Sequence, residues 1–286
     1  MTHSERPLTF ACEGDSLVGI LSGADLPAGR GVLIVVGGPQ YRTGSHRQFT
    51  LLARLLAERG VPALRFDYRG MGDSDGEVRT FERVGADIRC AIDQLFTRLP
   101  GLKDVVLWGL CDAASAALFY AHQDARVSGL ILLNPWVRTE QGLARAHLRQ
   151  YYLQRLFQTS LWGKIACGEF KVRDAARALG KSVLDALGAG SPPGTAGNSA
   201  GGEPPLPDRM EAALLKFPGR VLLILSGNDL TAQEFKDAVS GSGRWRRLLA
   251  DARVTRRDLP EANHTFARRE WRDQVGRWTE EWVKSF

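Results

Sequence analysis

Three side chains of this sequence have the types that act together as nucleophile, base and acid: Cys111, His264 and Asp229. Cys111 stands in GLCDA, residues 109–113, where an apolar run gives way to a helical pattern. A reactive residue on a strained turn between strand and helix needs small residues two positions before and two after it, because backbone and helix crowd there. Gly109 and Ala113 supply them, although the pattern G-x-S-x-G is broken at the nucleophile and at its trailing glycine. A thiol at a helix N-terminus gains from the unpaired N–H groups, which favour thiolate. The neighbouring Asp112 carboxylate opposes that charge, so a charged histidine nearby has to outweigh it. The corner alone also fits a buried structural cysteine, the common fate of a free one.

The rest of the chain bears on that choice. Asp229 follows the apolar run RVLLIL in SGND, and His264 follows RVTRRDL in PEANHTF, so each falls in a loop at a strand end. Nucleophile, acid and histidine in this chain order, at successive strand ends, form a working set: a buried acid holds the ring and its tautomer, and the histidine takes the thiol proton and later activates water. Singly, Asp229 reads as a turn residue and His264 as a surface histidine; order, spacing and loop position argue for them jointly. His3, His46, His122 and His147 lie in the tail, at a helix start, at a helix end and in an insertion, and fit worse.

An oxyanion needs donors. One is the Asp112 N–H, directly after the nucleophile. The other is expected from VVGGPQYRTG; Pro39 has no N–H, which leaves Gly38 or, as the alternative, Gln40. Gly38 is preferred because glycine permits close backbone approach, and a plain Gly-Pro turn is the competing interpretation. Tyr41, Arg42 and Trp136 are candidate substrate contacts. In DYRGMGDSDG, Asp67 and Arg69 are expected to fix the loop beside the site.

Elements able to position these residues follow from periodicity. Short branched runs at 31–36, 61–66, 104–108, 127–133, 220–225 and 253–259 predict strands, and helical spacing predicts helices at 46–59, 80–99 and 112–122. A last helix carries Trp271, Val275, Trp278 and Trp282 on one face. Strands alternating with helices imply an α/β fold with a mostly parallel, doubly wound sheet. The rhythm breaks at NPW, so residues 1–135 and 217–286 are expected to form the core and 136–216 a helical cap, with a flexible Gly/Pro-rich loop at 188–205. The helical part of that stretch mixes Arg138, Arg145, Arg149, Arg155 and Lys164 with Trp136, Tyr151, Tyr152, Phe157 and Trp162, which suits an acyl or aromatic group on an anionic head, or simple packing on the domain.

Composition narrows the function classes. The 286 residues are 44% hydrophobic and 24% charged, ordinary for a globular protein. The net charge of +6 comes from scattered arginines, which argues against nucleic acid as a partner. Four widely spaced cysteines form no CxxC pair and no metal-ligand spacing, and no GxGxxG occurs, so neither metal nor cofactor is expected. No apolar run approaches a membrane span and the N-terminus lacks the apolar stretch of a secretion signal; no stable membrane insertion and a cytoplasmic location are expected.

Together, GGP after the first core strand, FDYRGMGDSDG, the Cys111 corner, SGND and ANHTF resemble the α/β-hydrolase superfamily over nearly the whole chain. VGGPQYRTGSHRQF and GLCDAASAALFY are similar, more narrowly, to the hydrolases encoded with the exosortase A system of exopolysaccharide-producing bacteria. The resemblance implies Cys111 as nucleophile, His264 as base and Asp229 as its orienting acid, acting on a small ester or thioester. Dienelactone hydrolases and polyester synthases also place cysteine at this corner, so hydrolysis and acyl transfer both stay open, as does a non-catalytic hydrolase-fold protein.

Overall fold

Branched apolar residues that are buried on both sides of a strand leave continuous hydrophobic runs, and the six expected runs form the parallel part of one sheet. The structure is a computed structural model that describes residues 4–23, 25, 28–38, 40–137 and 203–286. The parallel strands are β3 (Arg30–Val35), β4 (Ala63–Phe66), β5 (Asp104–Leu110), β6 (Val127–Leu133), β7 (Arg220–Asn228) and β8 (Val254–Asn263). Ahead of them lie β1 (Glu5–Cys12) and β2 (Asp15–Ser22), an antiparallel hairpin that the periodicity had not indicated. Its turn places Glu13 at φ 50° and Gly14 at φ 95°, the doubly left-handed geometry that suits a two-residue hairpin. The strand order is β1-β2-β4-β3-β5-β6-β7-β8, with β2 antiparallel to β4. This is the sheet of the α/β-hydrolase fold, as expected.

Successive residues of the central strands enter opposite cores. Leu33, Val35, Val105, Leu107, Leu130 and Leu132 join one cluster; Val32, Ile34, Val106, Trp108, Ile131 and Leu133 join the other. The first cluster is closed by α2 (Gly85–Arg98), α3 (Asp112–Ala121) and α4 (Leu206–Lys216), through Ile88, Ile92, Ala117, Met210 and Leu214. The second is closed by α1 (Gln48–Glu58) and the last helix, α7 (Arg269–Val283), through Phe49, Leu52, Leu56, Val275 and Trp282. Each such side chain, fully buried, contributes about 1.5–3 kcal/mol. Trp271 and Trp278 pack against the same cluster as Val275 and Trp282, so the expected face of the last helix is the docked one. Two further helices, α5 (Leu230–Gly241) and α6 (Gly243–Leu249), lie between β7 and β8. Among the described residues, no helix is long and apolar enough to cross a membrane.

The end of the expected cap needs correction. Met210, Ala213 and Leu214 of α4 are core residues, and Arg209 pairs with Glu82 at 2.8 Å, so from residue 206 onward the chain is part of the core. The remaining stretch, 138–202, with its arginines, aromatics and most of the Gly/Pro-rich segment, lies outside the described residues.

The loop after β4 has the scaffold role expected of it. Arg69 and Asp87, both completely buried, form a two-pronged ion pair (Nε–Oδ1 2.9 Å, Nη2–Oδ2 3.0 Å), and the same Oδ1 accepts the Arg69 N–H. Arg69 Nη1 reaches Glu13 at 2.6 Å, which ties the loop to the β1–β2 turn as well as to α2. Because a buried charge deprived of its partner is costly, Asp87→Ala should lose about 3–5 kcal/mol of stability. The exposed Arg126–Asp93 pair serves as control, and Asp93→Ala should cost less than about 1 kcal/mol. Urea unfolding of both variants checks the contrast.

Candidate active site

The sheet's register brings the singled-out residues together at the C-terminal ends of the parallel strands, where open α/β sheets bind ligands. Leu110 of β5 lies opposite Leu133 of β6, so Cys111 and Asn134 leave the sheet side by side. Asn228 of β7 lies opposite Asn263 of β8, so Asp229 and His264 also emerge together. Val35 of β3 lies opposite Gly109, which brings the Gly37–Gly38 loop to the start of α3.

Cys111 has φ 64° and ψ −125°, a conformation that L side chains rarely adopt, costing on the order of 1–3 kcal/mol. The surroundings enforce it. Cys111 N–H donates to Leu133 O (2.9 Å), and Cys111 O accepts from Trp136 N–H (3.2 Å) and Ala114 N–H (3.1 Å). A Cβ at Gly109 would fall 2.6 Å from the Ala113 carbonyl, so no other residue fits that position. The Ala113 methyl, in place of the trailing glycine, is accommodated by Gly37, where a Cβ would lie 2.9 Å from it.

His264 Nδ1 is 3.0 Å from Asp229 Oδ2, and its ring lies close enough to Cys111 for the sulfur to bear on its charge. The carboxylate only accepts, so Nδ1 carries the proton and Nε2 is left for exchange with the sulfur. Asp229 is itself anchored as the N-cap of α5, accepting from Thr231 N–H (3.3 Å) and Ala232 N–H (3.0 Å). Burial opposes the charge on Asp229, but the His264 hydrogen bond and charge and the two N–H groups bring its carboxyl below the usual range. The Asp229 hydrogen bond first, then the Cys111 sulfur, raise His264 to about 10 against the desolvation that lowers it. The imidazole is therefore charged at neutral pH.

Asn134, which the sequence analysis did not single out, binds these strand ends to one another. Completely buried and at φ 42°, it donates through Nδ2 to Ser226 Oγ (2.9 Å) and His264 O (3.1 Å), and its Oδ1 accepts Ser226 N–H (2.9 Å). Its sequence signal was the break at NPW, directly after a buried strand.

The expected oxyanion donors are differently disposed. Gly38 N–H donates to Asp112 Oδ2 at 2.8 Å and is not free, which corrects the expectation for Gly38 in this conformation. Asp112 Oδ1 accepts from Ala113 N–H (3.0 Å). Burial raises the Asp112 carboxyl above its usual range, with the N–H groups of Gly38, Ala113 and Asp112 and the His264 charge pulling back. The Gln40 side chain turns to Ser45 N–H, and its own N–H meets no acceptor among the described residues.

Arg42 also departs from expectation. Its guanidinium is held by Asp67 and by Asp73 (2.6 Å), and its N–H by Asp67 (2.6 Å), so it fastens the loop rather than awaiting an anionic substrate. Tyr41 is exposed beside it. Trp136 borders the corner through its backbone, its carbonyl accepting Ser115 Oγ at 2.7 Å.

Comparison with known proteins agrees with this layout. The sequence model described as "Alpha/beta hydrolase family" matches residues 32–276. A polyketide transferase, grgF, of a Penicillium species is 31% identical over 94 residues, 30% of this chain and 31% of that protein's length. The chain thus matches about a third of that curated relative. Among solved structures, the esterase Pf2001 of Pyrococcus furiosus superposes with a TM-score of 0.64 at 15% identity, covering 98% of this chain and 94% of that one. A dienelactone hydrolase of Anabaena variabilis superposes with a TM-score of 0.59 at 16% identity, covering 100% and 99%. At these identities the structures establish the shared fold.

Two outcomes test the geometry. Asn134→Ala strips partners from Ser226 N–H and His264 O and should lower stability in urea by about 1–3 kcal/mol for each buried group left unpaired. In NMR, His264 should titrate near 10 and move toward 6.5 in Asp229→Asn. The stability that the pair adds, measured as wild type minus Asp229→Asn, should be full between pH 3.8 and 6.5. It should fall as pH rises through about 10, where folded His264 loses its proton, and again below pH 3.8 as Asp229 takes one up.

Proposed function

Since the chain belongs to the alpha/beta hydrolase family, we propose that it cleaves carboxylic esters or thioesters through Cys111, His264 and Asp229 and a thioester acyl-enzyme. The observation that carries this is the Asp229–His264 hydrogen bond beside Cys111, with the cysteine on a left-handed corner at a helix N-terminus. The Cys111 sulfur, its proton held on His264, adds to the substrate carbonyl, and the π pair becomes an oxyanion held by the Asp112 N–H and by that of Gly38 or Gln40. Each donor of this kind is worth about 10²–10³ in rate. The charged His264 gives its proton to the departing alcohol or thiol as the acyl–heteroatom bond breaks. Neutral His264 then takes a proton from water, whose oxygen adds to the thioester, and the sulfur leaves with the acid released. Asp229 keeps the ring oriented and stabilises its charge throughout.

The motifs around residues 35–49 and 109–120 further favour placement with the hydrolases encoded beside the exosortase A system, a grouping by genomic neighbourhood that names no substrate. Acyl transfer to an alcohol is the second reading, favoured by the matched stretch of the Penicillium polyketide transferase; it uses the same acyl-enzyme with a hydroxyl in place of water.

Incubation with a series of p-nitrophenyl acyl esters, with intact mass taken at short times, tests both. A transient gain equal to the acyl group is expected on the wild type and not on Cys111→Ala, together with a fall in turnover on the order of 10⁴-fold or more in the variant. An added alcohol that diverts the acyl group into a new ester would favour transfer. No adduct and no turnover across the series, with Cys111 also spared by an alkylating reagent, would make the corner cysteine structural.

A further inference from the structure

The Gly38 N–H, expected to hold an oxyanion, already holds an anion, and the N–H of Ala113 in the first turn of α3 holds the same one. We infer that the Asp112 carboxylate is a built-in occupant of the oxyanion seat, which a substrate carbonyl must displace before Cys111 can add to it. This rests on Cys111 being the nucleophile.

The seat is well defined. Oδ2 takes Gly38 N–H at 2.8 Å and Oδ1 takes Ala113 N–H at 3.0 Å. Gly37 makes the room: a Cβ there would stand 2.2 Å from Oδ1, so any larger residue would push the carboxylate out. The donors come from two separate segments, the loop after β3 and the first turn of α3, and meet on one acceptor beside the thiol. A tetrahedral oxyanion and this carboxylate carry like charge and need the same N–H groups, so they exclude one another.

Displacement has a selective consequence. A carbonyl competes with a resident charge, and only a substrate with enough binding elsewhere on the molecule can offset the loss of those charge-assisted bonds. Small activated esters should react sluggishly for this reason, and Asp112 thereby sets a threshold of substrate binding. It acts through the donors and does not touch the reacting carbonyl, so it is a positioning residue.

The experiment separates the donors from the nucleophile. A long-chain alkyl trifluoromethyl ketone adds reversibly to a thiol: the S–C bond forms, the carbonyl π pair becomes an alkoxide in the seat, and the thiol proton resides on His264. Iodoacetamide alkylates the same sulfur with loss of iodide and makes no oxyanion. Ketone inhibition constants and alkylation rates are measured at one pH for wild type, Asp112→Asn and Asp112→Ala, with thermal melts to show that each is folded. After correction for any change in alkylation rate, the ketone should bind about tenfold or more tighter to Asp112→Ala, and by a smaller factor to the near-isosteric Asp112→Asn. Equal or weaker binding to both variants, with Cys111 alkylated normally, overturns the inference and leaves Asp112 as a fastener of the loop with Gln40 as donor. Tightening no greater than the gain in alkylation rate overturns it too, by placing the effect on the thiol. A wild-type Cys111 that takes neither reagent removes the nucleophile itself, and the proposed function falls with the inference.

Discussion

Turning a strand into a helix within one residue is the constraint on which the site depends. At Cys111 the backbone is left-handed, and β5 and α3 approach so closely that the Ala113 carbonyl lies where a side chain at 109 would begin. That crowding explains Gly109 directly and Gly37 indirectly, since Gly37 faces the methyl that the trailing position carries. It also places Cys111 at the N-terminus of α3, whose first N–H groups are unpaired by the helix itself. The strain is held by neighbours: the Leu133 carbonyl and the Trp136 N–H take both backbone groups of Cys111.

Charge is arranged around this corner in a fixed sequence. Asp229 is kept ionised by a helix N-terminus and by His264, and His264 is kept protonated by Asp229 and Cys111. Asp112 lies on the far side, near enough for its charge to be felt by His264 and by the Tyr68 hydroxyl. One cationic ring thus sits among two carboxylates and a thiol. Such a cluster needs a rigid frame, and the Asn134 amide supplies it by joining the ends of β6, β7 and the segment after β8.

The sequence showed most where burial is two-sided. Runs such as residues 31–36 and 220–225 are apolar because both faces meet a core, and the strands they predicted form the parallel sheet. The β1–β2 hairpin was hidden because its buried residues, Leu8, Phe10 and Cys12, alternate with the exposed Pro7, Thr9 and Ala11 over a short span and leave no continuous apolar run. Cys111, Asp229 and His264 could be ordered from strand ends alone, and in the structure His264 bonds Asp229 with Cys111 nearby. Asn134 could not, because its partners come from β7 and the segment after β8, whose juxtaposition with the end of β6 exists only in the folded sheet. Arg42 was misjudged for the same reason: Asp67 and Asp73, which take its charge, are neighbours only once the loop after β4 has folded back. Gly38 was chosen for its backbone freedom, and nothing in the local sequence shows that an adjacent residue's carboxylate claims its N–H.

The departures from the G-x-S-x-G pattern are linked by packing. A methyl at 113 requires a glycine at 37, and a glycine at 37 opens the space that the Asp112 carboxylate fills. With the carboxylate there, the charge nearest the donors is fixed before any substrate arrives, and the residue at 111 must work beside it. Structures at 15–16% identity share the fold with this chain, so the fold does not choose among these local arrangements. Within this chain Gly37, Cys111, Asp112 and Ala113 are then one packed unit. Exchanging any one of them with the others unchanged would set a side chain against a space or a charge made for a different neighbour.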